Sequence, residues 1–270
     1  MIEILDVERF EDAMASPWDP DRYLTYADER GRPFLELLAR VGAVDPATVV
    51  DLGCGPGNLT ALLSRRWPGA DVRGLDSSPA MVERARQAGV VADLVDVRSW
   101  RPEPAALDVL VTNATLQWVP GHLELLPRLV AAVRPGGWFA MQVPGNFAEP
   151  SHRIREELAA EEPYAEHLVG IERPAGHDAA TYWEVLAGAG CEVDAWETTY
   201  LHVLTGEDAV FDWISGTSLL PTRAALPSEL WPPFAEELRR RLRLAYPAQN
   251  GRVKLPFRRI FAVAAVTGPS

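Results

Sequence analysis

The stretch DLGCGPG, residues 51–57, constrains this chain more than any other, because it sets three glycines between an apolar run and an amphipathic one. The preceding run TVVDL, Thr48 to Leu52, has the length and composition of a short buried strand. The following NLTALLSRRW puts Leu59, Leu62, Leu63 and Trp67 on one helical face. Strand, tight turn and helix in that order open a nucleotide-binding α/β sheet. Lacking side chains, Gly53, Gly55 and Gly57 let the backbone turn sharply and lie against a ligand with its amides pointing inward. The spacing disfavours a nicotinamide dinucleotide: Asn58 stands where the Gly-x-Gly-x-x-Gly fingerprint has its last glycine.

The alternation continues. Strands are expected at Asp71 to Leu75, Ala92 to Val95, Leu107 to Asn113 and Trp138 to Val143, with helices at Pro79 to Ala88 and His122 to Ala132. Parallel strands joined by helices need right-handed crossovers that cover both faces. Helices near 151–162 and 178–189 follow, then two late strands, about 191–204 and 255–267, expected as antiparallel edge partners. The fold class is therefore α/β: a Rossmann-like, doubly wound, mostly parallel seven-stranded sheet with helical insertions in the C-terminal half. Residues 1–17 read as an N-terminal extension, and 18–270 as one domain with its core at about 34–145. Between Trp18 and Arg40 two helical pieces are expected, one capped by Asp19 and one opened by Pro33. The insertion at about 206–246 carries Phe211, Trp213 and Ile214, which suit either a lid or a seal over the core.

At 270 residues, 47% hydrophobic and 24% charged, the chain can bury a sizeable core and has the composition of an ordinary globular protein. Acidic residues near the start and the lack of any run of about 18 apolar residues predict a cytoplasmic protein with no membrane span. Cys54 and Cys191 are too few and too far apart for a disulfide framework or a zinc set, so no metal is expected. A net charge of −12 disfavours nucleic acid and anionic membrane as partners. It leaves room for a small anion held by a local cluster of Arg, His and Tyr donors. The expected assembly is a monomer or weak dimer.

Nineteen residues after Gly57, at the end of the second strand, Asp76 in GLDSSPAM offers a carboxylate to both hydroxyls of a ribose. Asp96 in VDVRSW, after the third strand, can accept from an adenine amino group, with Val97 and Trp100 as apolar neighbours. Ribose, adenine and a short charged tail are then all provided for.

DLGCGPG, LDSSPAM, DVRSW and NATLQWV, in this order, resemble the class I S-adenosylmethionine-dependent methyltransferases. More narrowly, WDPDRYLTYADERGRPF, GCEVDAWETTYLH and PFRRIFAVA resemble the trans-aconitate methyltransferase family, from about residue 17 to the C-terminus. The resemblance implies S-adenosyl-L-methionine as cofactor. It places Asp51, Gly53, Gly55 and Gly57 near the methionine tail, Asp76 with Ser77 at the ribose, Asp96 with Val97 at the adenine, and Asn113, Ala114 and Gln117 beside the methyl group. Trp118 is expected to fill core.

Methyl transfer from a sulfonium is an in-line displacement, and a carboxylate acceptor is already ionised at neutral pH. No general base is then needed and no catalytic side chain in the strict sense is expected; orientation supplies the rate, on the order of 7–11 kcal/mol for well-held reactants. A small polycarboxylic acid needs anchors instead. The candidates are Tyr23, Arg30 and Arg32 before the first strand, Gln142, Asn146 and His152 after the fifth, and Tyr200 on a late strand. Tyr26, Thr199 and His202 are further candidates, with His177 and Arg258 behind them. Two other readings stay open. One is an O-, N- or C-methyltransferase of another small molecule, with His152 as its base; the other is a module that binds the cofactor without turnover. Base methylation of nucleic acid is disfavoured, since NATLQW lacks a proline and aromatic pair after the strand.

Overall fold

The structure, a computed structural model, describes residues 27–171 and 173–267, with backbone alone at 27–30. Helix α1 (Ala27–Ala39) leads into β1 (Thr48–Leu52), α2 (Thr60–Arg66), β2 (Asp71–Asp76), α3 (Pro79–Gln87), β3 (Ala92–Leu94), β4 (Leu107–Asn113), α4 (Leu126–Ala131) and β5 (Val133–Pro144). Then come α5 (Pro150–Ala159), α6 (Ala165–Leu168), α7 (Ala179–Gly188), β6 (Cys191–Thr205), α8 (Ala209–Ser215), α9 (Leu220–Ala225), α10 (Trp231–Ala245) and β7 (Arg252–Val266).

The strands form one sheet in the order β3-β2-β1-β4-β5-β7-β6. Six strands point the same way, β1 to β5 in direct parallel pairing and β6 beyond β7, and β7 alone is reversed, antiparallel to both of its neighbours. The expected seven-stranded, mostly parallel sheet is what forms. One detail is corrected: the late strands pair antiparallel, but only β6 is an edge, because β7 slots between β5 and β6 along registers such as Trp138↔Ala265 and Trp196↔Phe261. Its near-continuous burial from Ile260 to Ala264 fits a strand flanked on both sides, whereas β6 alternates exposed and covered positions as an edge strand does.

Side-chain parity along the central strands divides the core. Leu110 and Phe139 face one layer with Leu126, Leu129 and Tyr182, while Val109 and Val111 face the other with Phe34, Leu37 and Leu63. A third cluster joins the helical insertion to α5 through Leu158, Phe211, Trp213, Phe234 and Leu238. The two pieces expected before β1 are also corrected where they can be seen: α1 runs through Pro33. Proline inside a helix costs about 3 kcal/mol. Full burial of Phe34, Leu37 and Leu38, at about 1.5–3 kcal/mol each, offsets it. Asp19 and residues 1–17 lie outside the described residues.

The strand order reverses between β1 and β4, so their carboxyl ends diverge into a crevice. Among the described residues no helix is long and apolar enough to cross a membrane.

Candidate active site

At that crevice the glycine loop supplies the first wall. Gly53, Gly55 and Gly57 all have positive φ, 81°, 55° and 82°. Each nevertheless has its own reason to be glycine. A Cβ on Gly53 would sit 1.9 Å from Thr115 Oγ1, and one on Gly57 would press on Ala85 and Val90 at 3.0 Å, so these two permit close packing against the turn after β4 and against α3. Gly55 has open space on its Cβ side. The loop is pinned from below: Gly53 and Cys54 donate their amides to the Leu75 carbonyl, and Gly55 donates to Asp76 Oδ2 at 2.8 Å.

Two cavities open along the carboxyl ends of the strands. The first, of about 900 Å³, is lined by Gly53, Gly55, Asp76, Ser77, Asp96 and Val97 with Asn113, Ala114 and Trp118. The second, of about 790 Å³, is lined by the same Asn113, Ala114 and Trp118 and by Gln117, Asn146, His152, Trp213 and Arg259 among others. Both volumes lie in the range of small-molecule sites. The shared wall is a strained turn: Ala114 has φ of 55°, its amide donates to the Gln142 carbonyl, and Gln117 Nε2 donates to the Ala114 carbonyl at 2.6 Å. A residue held in the left-handed region at the junction of two cavities is where strain tends to persist for function.

Of the residues assigned to the cofactor, Gly53, Gly55, Asp76, Ser77, Asp96, Val97, Asn113 and Ala114 line the first cavity, and Gln117 lines the second. Asp51 and Gly57 line neither. Asp51 lies beneath the loop, 2% exposed, accepting the Thr60 hydroxyl at 2.7 Å and so tying β1 to the start of α2. Burial, with the charge of Asp76 a smaller cause, lifts its carboxyl to about 6 against the help of Thr60. Burial also raises Asp76, against the pull of amide hydrogen bonds from Ser78 and Gly55. Asp96 behaves oppositely: Arg98 grips both its oxygens at 2.6–3.0 Å and lowers it. Trp118, expected in the core, is a half-buried part of the wall between the cavities.

Of the acceptor anchors, Asn146 and His152 line the second cavity. Gln142 is fully buried one layer behind, its Oε1 accepting from Arg259 at 3.3 Å. Tyr200 does not reach the cavity. Its hydroxyl donates to Glu36 Oε2 at 2.6 Å, and the exposed Arg32 pairs with Glu36 at 3.2 Å while lying over the Tyr200 ring, so the three tie α1 to β6. Tyr23, Tyr26 and the Arg30 side chain lie outside the described residues. Arg258 is engaged at the surface with Glu197 at 2.5 and 2.8 Å.

Sequence reasoning missed Arg259, which is 5% exposed and stands over the Phe257 ring. The signal was available: β7 alternates, Leu255 and Phe257 point inward, and Arg259 shares their parity where Arg258 does not. The second cavity also gathers buried polar atoms that have no hydrogen-bond partner among the described residues: Asn113 Oδ1, Gln117 Oε1, Asn146 Oδ1 and His152 Nδ1. Such atoms cost about 1–3 kcal/mol each when left unmet, and their convergence marks a place for a polar ligand. His152 is held neutral, pushed down to about 3 by burial and secondarily by Arg155.

A seven-stranded Rossmann-like sheet with a glycine loop, a ribose-type acid and a second cavity sharing the wall after β4 defines the class I methyltransferase fold. In agreement, residues 23–194 match the family described as a methyltransferase domain. Among solved structures the fold is similar to that of Haemonchus contortus phosphoethanolamine N-methyltransferase 2 in complex with S-adenosyl-L-methionine (TM-score 0.57, 16% identity, 98% of this chain and 61% of that one). The chain is 54% identical over 251 residues to the trans-aconitate 2-methyltransferase of Mycobacterium sp. strain KMS, covering 92% of this chain and 98% of that protein. It is 53% identical over 253 residues to that of Rhodococcus jostii strain RHA1, covering 92% and 99%. The chain belongs to the trans-aconitate 2-methyltransferase family.

Proposed function

We propose that this chain transfers the methyl group of S-adenosyl-L-methionine to a carboxylate of trans-aconitate, giving the monomethyl ester. The observation that carries the reading is the shared wall: Asn113, Ala114 and Trp118 border both cavities, so a donor in one meets an acceptor in the other there. The names of the relatives supply the acceptor, and the polar convergence in the second cavity suits it.

The first cavity fits the cofactor. Asp76 and Ser77 stand where a vicinal diol needs acceptors, Val97 offers an apolar face, and Gly55 leaves room for close approach. When bound, the cofactor supplies an electrophilic methyl group on a sulfonium. The chain's own part is orientation. The 114–119 turn separates the two ligands and fixes their approach; Asn113 and Asn146 offer polar contacts; Trp213, Ile214 and Phe257 exclude water from the acceptor side. An ionised carboxylate needs no proton removed. His152, neutral and far too weak a base at pH 7, weighs against an acceptor hydroxyl or ammonium that would need one. We further propose that residues 18–270 act as one domain, with the helical insertion as the roof of the acceptor side.

The test is mass spectrometry of trans-aconitate incubated with enzyme and methyl donor. The expected product carries one added CH₂ and loses it in mild alkali, as an ester does. An unchanged acid, with donor binding intact, would overturn the acceptor.

A further inference from the structure

We propose that His152 is the hydrogen-bond donor of the acceptor side, giving a ring N–H to a carboxylate of the bound acid. This rests on the carboxylate reading above and deepens it by assigning a residue that holds the acceptor.

The chain itself shows what a histidine looks like when its role is packing. His122 is 2% exposed and both of its ring nitrogens are met, Nδ1 by the Val119 carbonyl at 3.1 Å and Nε2 by the Tyr182 hydroxyl at 2.7 Å. His152, in the first turn of α5, is buried to a similar degree, 5% exposed, yet its Nδ1 meets no hydrogen-bond partner among the described residues. Its ring packs against Phe147, centroid to centroid at 5.2 Å, a contact that satisfies no polar atom. His202 also leaves Nε2 unmet, but it sits among Tyr200, Trp213 and Phe257 and does not line the acceptor cavity, whereas His152 does. A buried polar group without a partner is kept at a standing cost, and on a cavity wall a ligand that completes it accounts for that cost.

The neighbouring groups decide which way the bond runs. Gln117 commits Nε2 to the Ala114 carbonyl at 2.6 Å, so its unmet Oε1 can only accept. An ionised carboxylate accepts only as well, so that oxygen repels it and it must find a proton elsewhere on the wall. A neutral imidazole always carries one N–H. Burial first and the charge of Arg155 second keep His152 in that neutral form, down at about 3. Arg155 is itself committed to the Ser218 carbonyl at 2.6 Å and to Glu156 at 3.3 Å, which holds its charge in place. A neutral donor orients a carboxylate without the full ion pair that would quench its nucleophilicity.

The experiment compares wild type, His152→Leu and His152→Gln. Leucine is close in volume and carries no polar atom; glutamine keeps an N–H donor that is no base. Losing a hydrogen bond to a charged group predicts a KM for trans-aconitate about 10- to 100-fold higher in the Leu variant, with S-adenosylhomocysteine affinity by calorimetry within about twofold of wild type. Its melting temperature should stay at or above that of wild type, because an unmet polar group gives way to an apolar one. The Gln variant should keep its turnover and recover much of the lost KM, which neither a general base nor a merely structural histidine would allow. In wild type isotope-labelled at the histidine ring nitrogens and saturated with S-adenosylhomocysteine, trans-aconitate should move the His152 resonance, a readout that stands even where the Leu variant does not fold. A KM within about threefold of wild type in a folded Leu variant, or an unmoved His152 resonance at saturating acid, would overturn the donor alone. A wild-type enzyme that methylates no carboxylic acid would overturn both the donor and the reading beneath it.

Discussion

Tyr182 and His122 are joined side chain to side chain, the phenol oxygen 2.7 Å from Nε2. His122 Nδ1 lies 3.1 Å from the Val119 carbonyl, which can only accept, so Nδ1 is protonated and Nε2 accepts from the Tyr182 hydroxyl. The same phenol oxygen accepts the His177 amide at 3.2 Å. Val119 lines the first cavity, and the Gln117 carbonyl accepts from Ala175. The chain of bonds from α7 therefore holds the wall between the two ligands. Tyr182→Phe leaves a buried Nε2 and a buried amide unmet, predicting a loss of about 1–3 kcal/mol in denaturant unfolding and a several-fold weaker cofactor affinity. Wild-type stability in the variant would show that the wall stands without this support.

Acid should destabilise the fold through its buried histidines. His122 is lowered, His202 falls to about 4 and His152 to about 3, in each case chiefly by burial. Each is neutral in the folded chain while its unfolded counterpart takes up a proton near pH 6.5, so their stabilisation is complete above that value and is lost as pH falls toward 4 and 3. Asp51, raised to about 6, acts in the opposite sense: its contribution is full below 3.8 and is lost as pH rises through 6. Asp76, also raised by burial, acts in the same sense as Asp51. Three histidines against two carboxylates predict a net fall in melting temperature of a few degrees, on the order of 5 °C at most, from pH 7 to pH 5, shallower in His152→Asn. A melting temperature that rises on acidification would contradict the assignment.

The loop glycines should separate by phenotype. Alanine at Gly53 meets the Thr115 side chain at 1.9 Å on top of an unfavourable φ, and should cost stability by about 2 kcal/mol or more. Alanine at Gly55 meets nothing within 4 Å, so only the backbone term of about 1–2 kcal/mol remains, but its methyl enters the first cavity. Thermal unfolding and calorimetry on the pair would show the first losing stability most and the second losing cofactor affinity most.

What was legible in the sequence is what chain neighbours decide. The glycine loop, Asp76 and the turn after β4 each follow their own strand, so local pattern located the first cavity almost residue by residue. The acceptor side is assembled from β5, α5, α8 and β7, which meet only through the sheet order. There the expectation divided: Asn146 and His152, just past β5, line the second cavity, whereas Tyr200, across 164 residues of chain, and Arg32, one helical turn away, both engage Glu36 instead. Arg259 was missed by one position of strand parity, and Gly57 reads as a ligand glycine until Ala85 and Val90 appear beside it. Pro33 is the reverse case, a local breaker overridden by the burial of its neighbours.

The most direct test of the account is labelled-methyl turnover on a panel of trans-aconitate, cis-aconitate, isocitrate, citrate, phenols and amines, followed from about pH 6 to pH 9, where a carboxylate stays ionised. The account predicts preferential labelling of trans-aconitate as an alkali-labile ester, with kcat flat across that range because no base is recruited. Preferential labelling of a phenol or amine, with a rate that climbs with pH, would contradict it.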